Sequence, residues 1–522
     1  MKKLILAAAL FSTIALTAQT PYDALNLTQS EIRGTARYTS MAGAFGALGG
    51  DVSAIKDNPA GLGIFRKSEL STTVDVLSQY SAGNWNGTQT QDDLYKMGFN
   101  NFSYIIAHPT WRKESGQEGL QYSNWSFTYN KLKDYNRRSY LKGTDFGSSL
   151  TDYMAYFAGN TPGSILNFDN YPTSTYNSPW DNLDASWLSI MGAYSGLINE
   201  YVNPTTNSTE YWSSDLNIGE KVSPSYILQE SGSAGEYSLG WSGNFSSKLF
   251  VGLNLNLQSI YHQTSTLYSE AFSAGGGFKL TNSMSTSGTG VNFNVGAIYM
   301  PIDFMRVGFS YHSPTVLSLT DVGNSKLDFY ARNEGYISTP DNTLDYKIVT
   351  PSQLNVSAGF IVGTKGLISA EYVLNNYTGT RFLDSNGESM DFLDENQRVR
   401  EYLNDTRTIK VGGEYKVTDN FSLRAGYANT NNATVRNSPK YMLENTTRSN
   451  TEYFLNNSTN YFTGGFGYRE SSWYIDFAYM NKITNDTFVP YSASVTPDHL
   501  EPVTATLVTT NNNFVVTLGL KF

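Results

Sequence analysis

The sequence has 522 residues, of which 16% are charged and 14% aromatic, and its formal net charge at pH 7 is −10. Soluble domains average about a quarter charged residues, so this composition argues against a string of ordinary soluble domains. The absence of cysteine excludes disulfides and thiolate metal sites, and the negative charge argues against nucleic acid as a partner.

Residues 1–18 are predicted to be a secretory signal peptide. Lys2 and Lys3 are basic, residues 4–16 are mainly apolar, and Ala18-Gln19 is a small-residue cleavage point. The alternative is a short buried helix, since the stretch is too short to span a bilayer. No later run of about 18 apolar residues occurs, so only a closed β-barrel could hold the exported chain in a membrane.

The next segment is rich in small residues. Gly43, Gly46, Gly49 and Gly50 give it little bulk, and Pro59 fixes a bend. Large apolar residues between the glycines favour a packed insert over a flexible linker, which is the alternative. A nucleotide-binding loop is disfavoured because the glycine spacing is wrong and no βαβ pattern surrounds it.

Alternating apolar and polar residues predict an all-β, transmembrane antiparallel barrel over residues 68–522. The closing residues show the pattern best, since Phe514, Val516, Leu518, Leu520 and Phe522 share one face. Fourteen strands are predicted, most of them near the length that a tilted strand needs to cross hydrocarbon. They are 68–78, 99–109, 121–131, 236–246, 249–262, 288–300, 306–320, 350–362, 366–377, 406–417, 420–429, 459–469, 472–482 and 512–522.

Connection lengths predict the orientation, because barrels of this kind have short periplasmic turns and long external loops. Short turns such as 246–248 and 301–303 alternate with long connections, of which 132–235 is the longest. Both ends of the barrel are therefore expected on the periplasmic side.

The long loop 132–235 is predicted to carry short helices. Asp184 could cap one of them, and Trp187, Met191, Tyr194, Ile198 and Tyr201 recur at helical spacing on one face. A weaker segment surrounds Tyr153 and Phe157. The helices could pack on each other and seal the barrel mouth, or they could form an external groove that captures an apolar ligand.

Alternation places five charged residues on inward faces: Glu371, Lys410, Glu414, Arg424 and Asp476. They are interpreted as an ion-pair ladder that stiffens the wall. The alternative is that Lys410 or Arg424 binds a ligand carboxylate or pairs with Asp51 or Asp57. Pro314 interrupts a predicted strand and indicates a bulge or a gap in the wall.

No enzyme, cofactor or metal site is predicted. His108, His262, His312 and His499 form no metal-binding motif. An outer-membrane lipase or esterase would need a serine and a histidine together, but His312 and Ser313 are neighbours on one strand and point to opposite faces.

Several motifs resemble the FadL/TodX family of outer-membrane transporters for hydrophobic compounds. The likeness is strongest in a motif that comprises Asp51 and the run Asn58-Pro59-Ala60-Gly61-Leu62, and looser in 307–314, in 423–427 and in the C-terminal strand. The resemblance implies a barrel of about fourteen strands, with residues 19–67 folded inside the lumen as a periplasmic-side hatch. It also implies a strand irregularity through which ligand leaves sideways into the bilayer. The family has its external helices in later loops, so the helix-bearing loop 132–235 departs from the pattern.

These features together predict an integral protein of the cell outer membrane, inserted by the outer-membrane assembly machinery. Its expected activity is passive or gradient-driven uptake of long-chain fatty acids or aromatic hydrocarbons, which apolar side chains would capture. The alternatives are a polar-solute porin, which the glycine-rich insert disfavours, a partner in a secretion or adhesion complex, and the outer-membrane lipase or esterase.

Overall fold

The computed structural model describes residues 19–110, 118–168, 178–182, 185–331, 333–435, 447–491 and 501–522. The predicted signal peptide and Asp184 lie outside these ranges. No described helix is both long enough and apolar enough to cross a membrane.

Strands make up most of the described chain, and every described strand pair is antiparallel. In chain order the strands are β1 (Glu69–Trp85), β2 (Thr88–Pro109), β3 (Leu120–Asp134), β4 (Arg137–Lys142), β5 (Ile198–Val202), β6 (Thr209–Ser214), β7 (Val222–Phe245), β8 (Leu249–Phe272), β9 (Gly277–Ile302), β10 (Met305–His312), β11 (Val316–Tyr330), β12 (Glu334–Ser338), β13 (Asn342–Val349), β14 (Gln353–Val362), β15 (Gly366–Asn375), β16 (Arg381–Asp384), β17 (Thr406–Lys416), β18 (Phe421–Thr430), β19 (Tyr453–Arg469), β20 (Trp473–Val489) and β21 (Ala505–Lys521).

The wall is a closed ring with fourteen strand positions. Four positions are divided between two strands each, namely β3 with β4, β10 with β11, β13 with β14 and β15 with β16. The last strand, β21, pairs with β1 from Glu69 opposite Lys521 to Trp85 opposite Ala505, which closes the ring. The prediction of a fourteen-stranded antiparallel barrel is confirmed.

The alternation of side chains sorts them between lipid and lumen. On β8, Leu253 and Leu255 are exposed on the outer face, whereas Asn254 and Asn256 are buried inside. The C-terminal strand repeats this arrangement, with Leu518 exposed and Thr517 buried. Because lipid supplies no hydrogen-bond partner, such a wall is stable only when all its backbone groups pair with neighbouring strands.

Several strands extend far beyond the predicted ends. The strand predicted at 249–262 runs to Phe272, and the one predicted at 236–246 begins at Val222. Beyond Tyr261 the outer face of β8 carries Gln263 and Ser265, so the apolar alternation that reveals a membrane strand stops there. The prediction that 132–235 is mainly loop is therefore wrong, because this range contains β4, β5, β6 and half of β7.

The helices fall into three groups. The first precedes the barrel, the second lies between β4 and β7, and the third lies between β16 and β17. They are α1 (Pro21–Thr28), α2 (Ala36–Ser40), α3 (Ala54–Asp57), α4 (Leu150–Ala158), α5 (Gly163–Leu166), α6 (Trp187–Ser195) and α7 (Leu393–Tyr402), with short 3-10 turns at Pro59–Ile64, Pro179–Asp181, Tyr377–Gly379 and Met390–Phe392.

The described residues of the range 143–221, which is called the external cap, cover the outer end of the barrel. Met154 of α4 and Met191 of α6 belong to one buried apolar cluster with Trp85, Leu280 and Phe488, which come from strands on different sides of the wall. The cap is also fastened by Glu270 at the outer end of β8, whose carboxylate accepts a hydrogen bond from the Leu150 backbone N–H at 2.9 Å.

The predicted helix in this cap is shorter than expected. Helix α6 ends at Ser195 because Gly196 adopts a left-handed conformation, with φ of 70°. Ile198 and Tyr201 therefore lie on strand β5, and their assignment to the helix is wrong. The N-cap position is occupied by Ser186.

Glycines on the inner wall allow the chain before β1 to pack closely. Gly412 and Gly426 face each other on β17 and β18. A Cβ atom at Gly412 would lie 2.5 Å from the Met41 carbonyl oxygen, and one at Gly426 would lie 2.5 Å from the Met41 carbonyl carbon. A larger residue at either position would therefore displace the backbone around Met41.

We expect Gly412→Val to loosen residues 36–50 while the barrel stays intact, because the added side chain would occupy the space of Met41. Hydrogen exchange of those residues in detergent-extracted protein should become faster. The matched control is Gly413→Val, since Gly413 faces outward and its added Cβ would meet its nearest atom only at 3.5 Å. Equal exchange in the two variants would contradict this packing.

Candidate functional site

Most of the N-terminal segment, residues 19–67, packs against the inner face of the wall, whereas Arg66 and Lys67 at its end are exposed. Between residues 32 and 63, only Arg37 and Gly50 are less than fully buried. The segment contacts strands all round the wall, as two bonds show: the Gly46 N–H donates to Glu371 at 2.8 Å, and the Asn124 side chain donates to the Leu62 carbonyl at 2.8 Å. Helix α1 contacts α7 and the outer end of β19, so the segment reaches further outward than the predicted periplasmic-side hatch.

Asn58 organises the predicted motif. Its side-chain nitrogen donates to the Gly46 carbonyl at 2.7 Å and to the Ala297 carbonyl of β9 at 3.3 Å. Its side-chain oxygen accepts the Ala60 N–H at 3.1 Å and so caps the 3-10 turn that Pro59 begins. Wall residues bind the adjoining backbone, since the Asp57 carbonyl accepts a bond from Ser310 at 2.6 Å. Asn58 thus joins two parts of the segment to the wall.

Gly61 and Asp51 complete the motif. A Cβ at Gly61 would lie 3.0 Å from Gly49 Cα, so the two backbones cross with no room for side chains. The Asp51 carboxylate accepts hydrogen bonds from Thr35 Oγ1 at 2.8 Å and from the Ser53 N–H at 3.0 Å. Asp51 therefore stabilises the fold of the segment and forms no pair with Lys410 or Arg424.

Three of the predicted lumen charges form one chain of ion pairs. Arg424 contacts Glu414 at 2.6 Å and Asp476 at 2.7 Å. Arg469 contacts the other side of Asp476 at 2.9 Å, and Arg37 of the N-terminal segment contacts Glu414 at 2.9 Å. The predicted ion-pair ladder of the wall thus continues into the N-terminal segment through Arg37.

The other two predicted charges form a second chain. Lys410 lies 2.9 Å from Glu371 and 3.7 Å from Asp57, which itself pairs with Lys56 at 2.9 Å. Tyr38 donates a hydrogen bond to Asp57. The sequence left two roles open for Lys410 beyond the wall ladder, namely binding a ligand carboxylate and pairing with the N-terminal segment. In the structure Lys410 lies beside Asp57 of that segment, so its charge is already paired.

Sequence reasoning missed Arg37 and Lys56, which carry these chains into the N-terminal segment. Both lie in short helices without a long periodic pattern. The partner of Arg37, Glu414, is hundreds of residues away along the chain, and Lys56 pairs with Asp57, whose other neighbour Lys410 is equally distant. The sequence feature that could have identified them is their positive charge, since most of the surrounding residues are small or apolar.

A cavity of about 200 Å³, the lumen cavity, lies between the N-terminal segment and the wall. Its lining includes Lys56 and Asp57 together with Leu27, Ile260 and Val373. Polar side chains predominate around it, so the expected apolar lining is wrong for this cavity. The alternation that turns apolar residues toward lipid leaves threonine, asparagine and glutamine for the inside.

Pro314 lies at a break in the wall. Residues 313–315 separate β10 from β11, and the neighbouring positions break at 350–352 and at 376–380. Thr315 and Thr350 bridge the breaks, because the Thr315 N–H donates to Thr350 Oγ1 and the Thr350 N–H donates to the Thr315 carbonyl, both at 2.9 Å. Ser313, Thr315, Thr350, Pro351 and Tyr377 all line the lumen cavity. The cavity therefore reaches the irregular part of the wall.

The outer surface beside these breaks is apolar. Val291 and Val316 are opposite each other on β9 and β11, immediately beyond the first break, and both are exposed. Leu257, opposite Val291 on β8, is exposed as well. The breaks thus lie at the depth of the lipid-facing surface.

The predicted capture helix mostly faces inward. Trp187 and Met191 are buried in the cap, whereas Tyr194 is exposed. This arrangement seals the mouth and leaves Tyr194 exposed, with its ring against Phe168 and Phe329. Tyr201 and Tyr211 on β5 and β6 form a separate stacked pair.

The external cap is strongly acidic. Backbone N–H groups of Asn217 and Ala274 hydrogen-bond to Glu220 and lower its pKa, which keeps it ionised. Residues 143–220 contain no Lys, Arg or His and nine acidic residues: Asp145, Asp152, Asp169, Asp181, Asp184, Glu200, Glu210, Asp215 and Glu220.

The geometry does not assemble a serine–histidine pair at His312. Its Nε2 contacts the Asp57 carbonyl at 2.8 Å, while Ser313 Oγ accepts the Phe293 N–H at 3.1 Å. Among the described residues, no group of three or more His, Asp or Glu is placed to hold a metal ion.

Comparison with known proteins agrees with this architecture. Residues 236–442 match the family model described as outer membrane protein transport protein (OMPP1/FadL/TodX). Comparison with curated proteins finds no match. A crystal structure of a Pseudomonas aeruginosa FadL homologue is 12% identical and covers 95% of this chain and 100% of its own, with a TM-score of 0.52.

The toluene transporter TodX of P. putida is 13% identical and covers 95% of this chain and 99% of its own, with a TM-score of 0.48. At these identities the likeness concerns the fold. The family-model match confirms the resemblance to the FadL/TodX family over residues 236–442, and the Pseudomonas aeruginosa structure confirms the barrel fold.

We expect Arg424→Met to lower the free energy of unfolding by about 3–5 kcal/mol, because it leaves the buried carboxylates of Glu414 and Asp476 without their shared cation. Urea unfolding in lipid vesicles, followed by tryptophan fluorescence, measures the change. The control is Lys326→Met, which removes an exposed pair with Asp328 and should cost no more than about 1 kcal/mol. A similar small loss for both variants would show that the buried chain adds little to stability.

Proposed function

We propose that this protein carries hydrophobic compounds inward across the outer membrane, without covalent chemistry. The observation that carries the proposal is a closed barrel whose interior is filled by the N-terminal segment, with one cavity that reaches three adjacent breaks in the wall. An open porin would need a continuous water-filled lumen, whereas this arrangement suits controlled passage. The matched family of outer-membrane transport proteins supports the same class of function.

A long-chain fatty acid fits the lumen cavity better than an aromatic hydrocarbon does. Thr350, Gln353 and Asn375 offer hydrogen bonds to a polar head group, while Leu27, Ile260 and similar residues contact an alkyl chain. Each of these three side chains also bonds to a neighbouring wall residue. A pure hydrocarbon could make no hydrogen bond with such a polar lining, whereas a fatty-acid head group could.

The proposed exit is sideways, through the breaks around Pro314. Ligand in the lumen cavity touches Ser313 and Thr315, and Val291 and Val316 lie just outside them on the lipid face. Ligand that leaves here enters the bilayer and never crosses water.

Two further parts of the proposal concern biogenesis. Residues 1–18 direct export and are removed. The outer-membrane assembly machinery then inserts the barrel, with the C-terminal strand β21 and its terminal aromatic Phe522 as the segment that it recognises.

We expect Asn58→Ala to raise the basal ion conductance of the protein in planar bilayers, because the N-terminal segment loses its bonds to Gly46 and Ala297 and fills the lumen less completely. Fatty-acid uptake into proteoliposomes should change in parallel. Asn386→Ala, in an exposed turn, is the control. Conductance and uptake equal to those of the parent protein would count against the role of the segment as a plug.

We expect a disulfide between Thr315→Cys and Thr350→Cys to slow transfer of a fluorescent fatty acid into the bilayer, because it pins the edges of two breaks together. The chain has no other cysteine, so the crosslink is unambiguous. Transfer should recover after reduction, and each single-cysteine variant serves as a control. If the oxidised protein transfers ligand at the reduced rate, the exit lies elsewhere.

A further inference from the structure

Gln19, the first described residue, lies deep within the outer half of the barrel. It is 8% exposed, and its side-chain amide donates a hydrogen bond to Asp321 of β11 at 2.8 Å. The sequence also places the expected signal cleavage between Ala18 and Gln19. The same residue is thus the proposed start of the mature chain and a buried contact with the wall.

Asp321 is a buried carboxylate with one hydrogen-bond donor. It is 8% exposed, its Oδ2 atom accepts the bond from Gln19, and its buried Oδ1 atom has no hydrogen-bond partner among the described residues. Among the residues that the structure describes, no Lys, Arg or His lies within ion-pair distance of it. A buried carboxylate without a cation is costly, because it loses water and gains no opposite charge.

Three other acidic residues that fasten the N-terminal segment have a cation. Asp23 pairs with Arg448 at 2.8 Å, Glu31 with Lys482, and Asp57 with Lys56. Asp51 has no cation among the described residues, but its carboxylate accepts hydrogen bonds from Thr35 and Ser53 within the segment. Within the described part of the wall, Asp321 is the carboxylate that contacts this segment without a charged partner.

We propose that signal removal supplies this partner. Hydrolysis of the Ala18–Gln19 peptide bond by the signal-cleaving protease adds the hydroxyl of water to the Ala18 carbonyl carbon. The released nitrogen of Gln19 takes the remaining hydrogen and a proton from solvent, and becomes an α-ammonium group. Only the glutamine's own side chain separates that nitrogen from the amide that already contacts Asp321, so the ammonium forms within reach and makes a buried ion pair with the carboxylate.

This pair fastens helix α1 at a second wall of the barrel. Further along α1, Tyr22 stacks on Tyr453 with ring centroids 4.7 Å apart, and Asp23 pairs with Arg448. Thr20 is the N-cap of α1 and forms a capping box, so the helix begins directly after Gln19. A contact that fixes Gln19 therefore also fixes the start of the helix. The mature N-terminus thereby holds α1 across the lumen.

Residues of α1 line both the lumen cavity and a second cavity of about 100 Å³ beneath the external cap, and a third cavity of about 200 Å³ along the helix shares lining residues with each of them. Leu27 lines the lumen cavity, whereas Gln19, Asp23, Trp187 and Asp321 line the second cavity. A chain that keeps its signal peptide has no ammonium group at this position. Removal of the signal peptide is therefore a condition for the ion pair that fixes the start of the N-terminal segment, and this role is separate from transport.

The test begins with the mature protein extracted from outer membranes. Intact mass should show a chain that begins at Gln19 with a free amine. An amine-reactive reagent at near-neutral pH, followed by digestion and mass spectrometry, should label this amine slowly in the folded protein and rapidly after urea unfolding. In Asp321→Asn, which keeps the shape and removes the charge, labelling of the folded protein should be about tenfold faster, and hydrogen exchange of residues 20–28 should also accelerate.

The matched control is Asp328→Asn, on the same strand but in an exposed pair with Lys326, which should leave the labelling rate unchanged. A mature chain that begins elsewhere, an N-terminal glutamine cyclised with loss of ammonia, or equal labelling in the parent and Asp321→Asn would each overturn the proposal. If Asp321→Asn does not fold, labelling of the folded parent at the rate of the unfolded chain would overturn it, and slow labelling would support it. None of these measurements requires a ligand, so their outcome does not depend on whether the protein transports hydrophobic compounds.

Discussion

The pairing of β21 with β1 is the contact on which the rest of the structure depends. It closes the ring, and closure is what allows a sheet with polar groups on one face to lie in a membrane. An open sheet would expose two edges of unpaired N–H and C=O groups to hydrocarbon, where each costs free energy. Once the ring is closed, its inner face is isolated from lipid and can carry asparagine, threonine and charge.

The inner face then becomes a surface that binds backbone. Side chains such as Asn124, Asn254 and Asn294 donate to carbonyls of the N-terminal segment, and wall glycines leave room for its close approach. Short helices leave several carbonyls and N–H groups without partners inside the segment, so the wall supplies them. The segment and the wall are therefore complementary in hydrogen bonds as well as in charge. Loosening the segment requires many of these contacts to break together.

The sequence predicted those features that lipid imposes and missed those that only the folded chain brings together. Alternation located the strands and the inward faces of Glu371, Lys410 and Arg424, because the membrane constrains every second residue. The outer strand ends had no such constraint, so half of β7 was assigned to a loop. Helix α6 was extended to Ile198 because the apolar spacing continues across Gly196, whose left-handed conformation ends the helix.

The partners of the lumen charges depend on contacts between residues far apart in the chain. Arg37 reaches Glu414 only because the N-terminal segment enters a ring that the last strand closes. Local periodicity assigns a face to each residue and carries no information on what lies opposite. The family motif around Asn58 supplied the location of the segment, yet its individual bonds came from the geometry alone.

Charge is distributed differently inside and outside this protein, and the difference bears on how a ligand approaches. Cations of the lumen such as Lys410 and Arg424 are already paired, whereas the external cap carries nine acidic residues and one basic residue, Lys221. A negative surface slows the approach of anions through water. If the ligand is a fatty acid, as proposed, its anion gains nothing from charge at the entrance, and its capture must depend on contact between its alkyl chain and exposed rings such as Tyr194, Tyr201 and Tyr211. On that proposal, apolar contact at the cap and hydrogen bonds in the lumen cavity divide the recognition of the ligand between two places along one path.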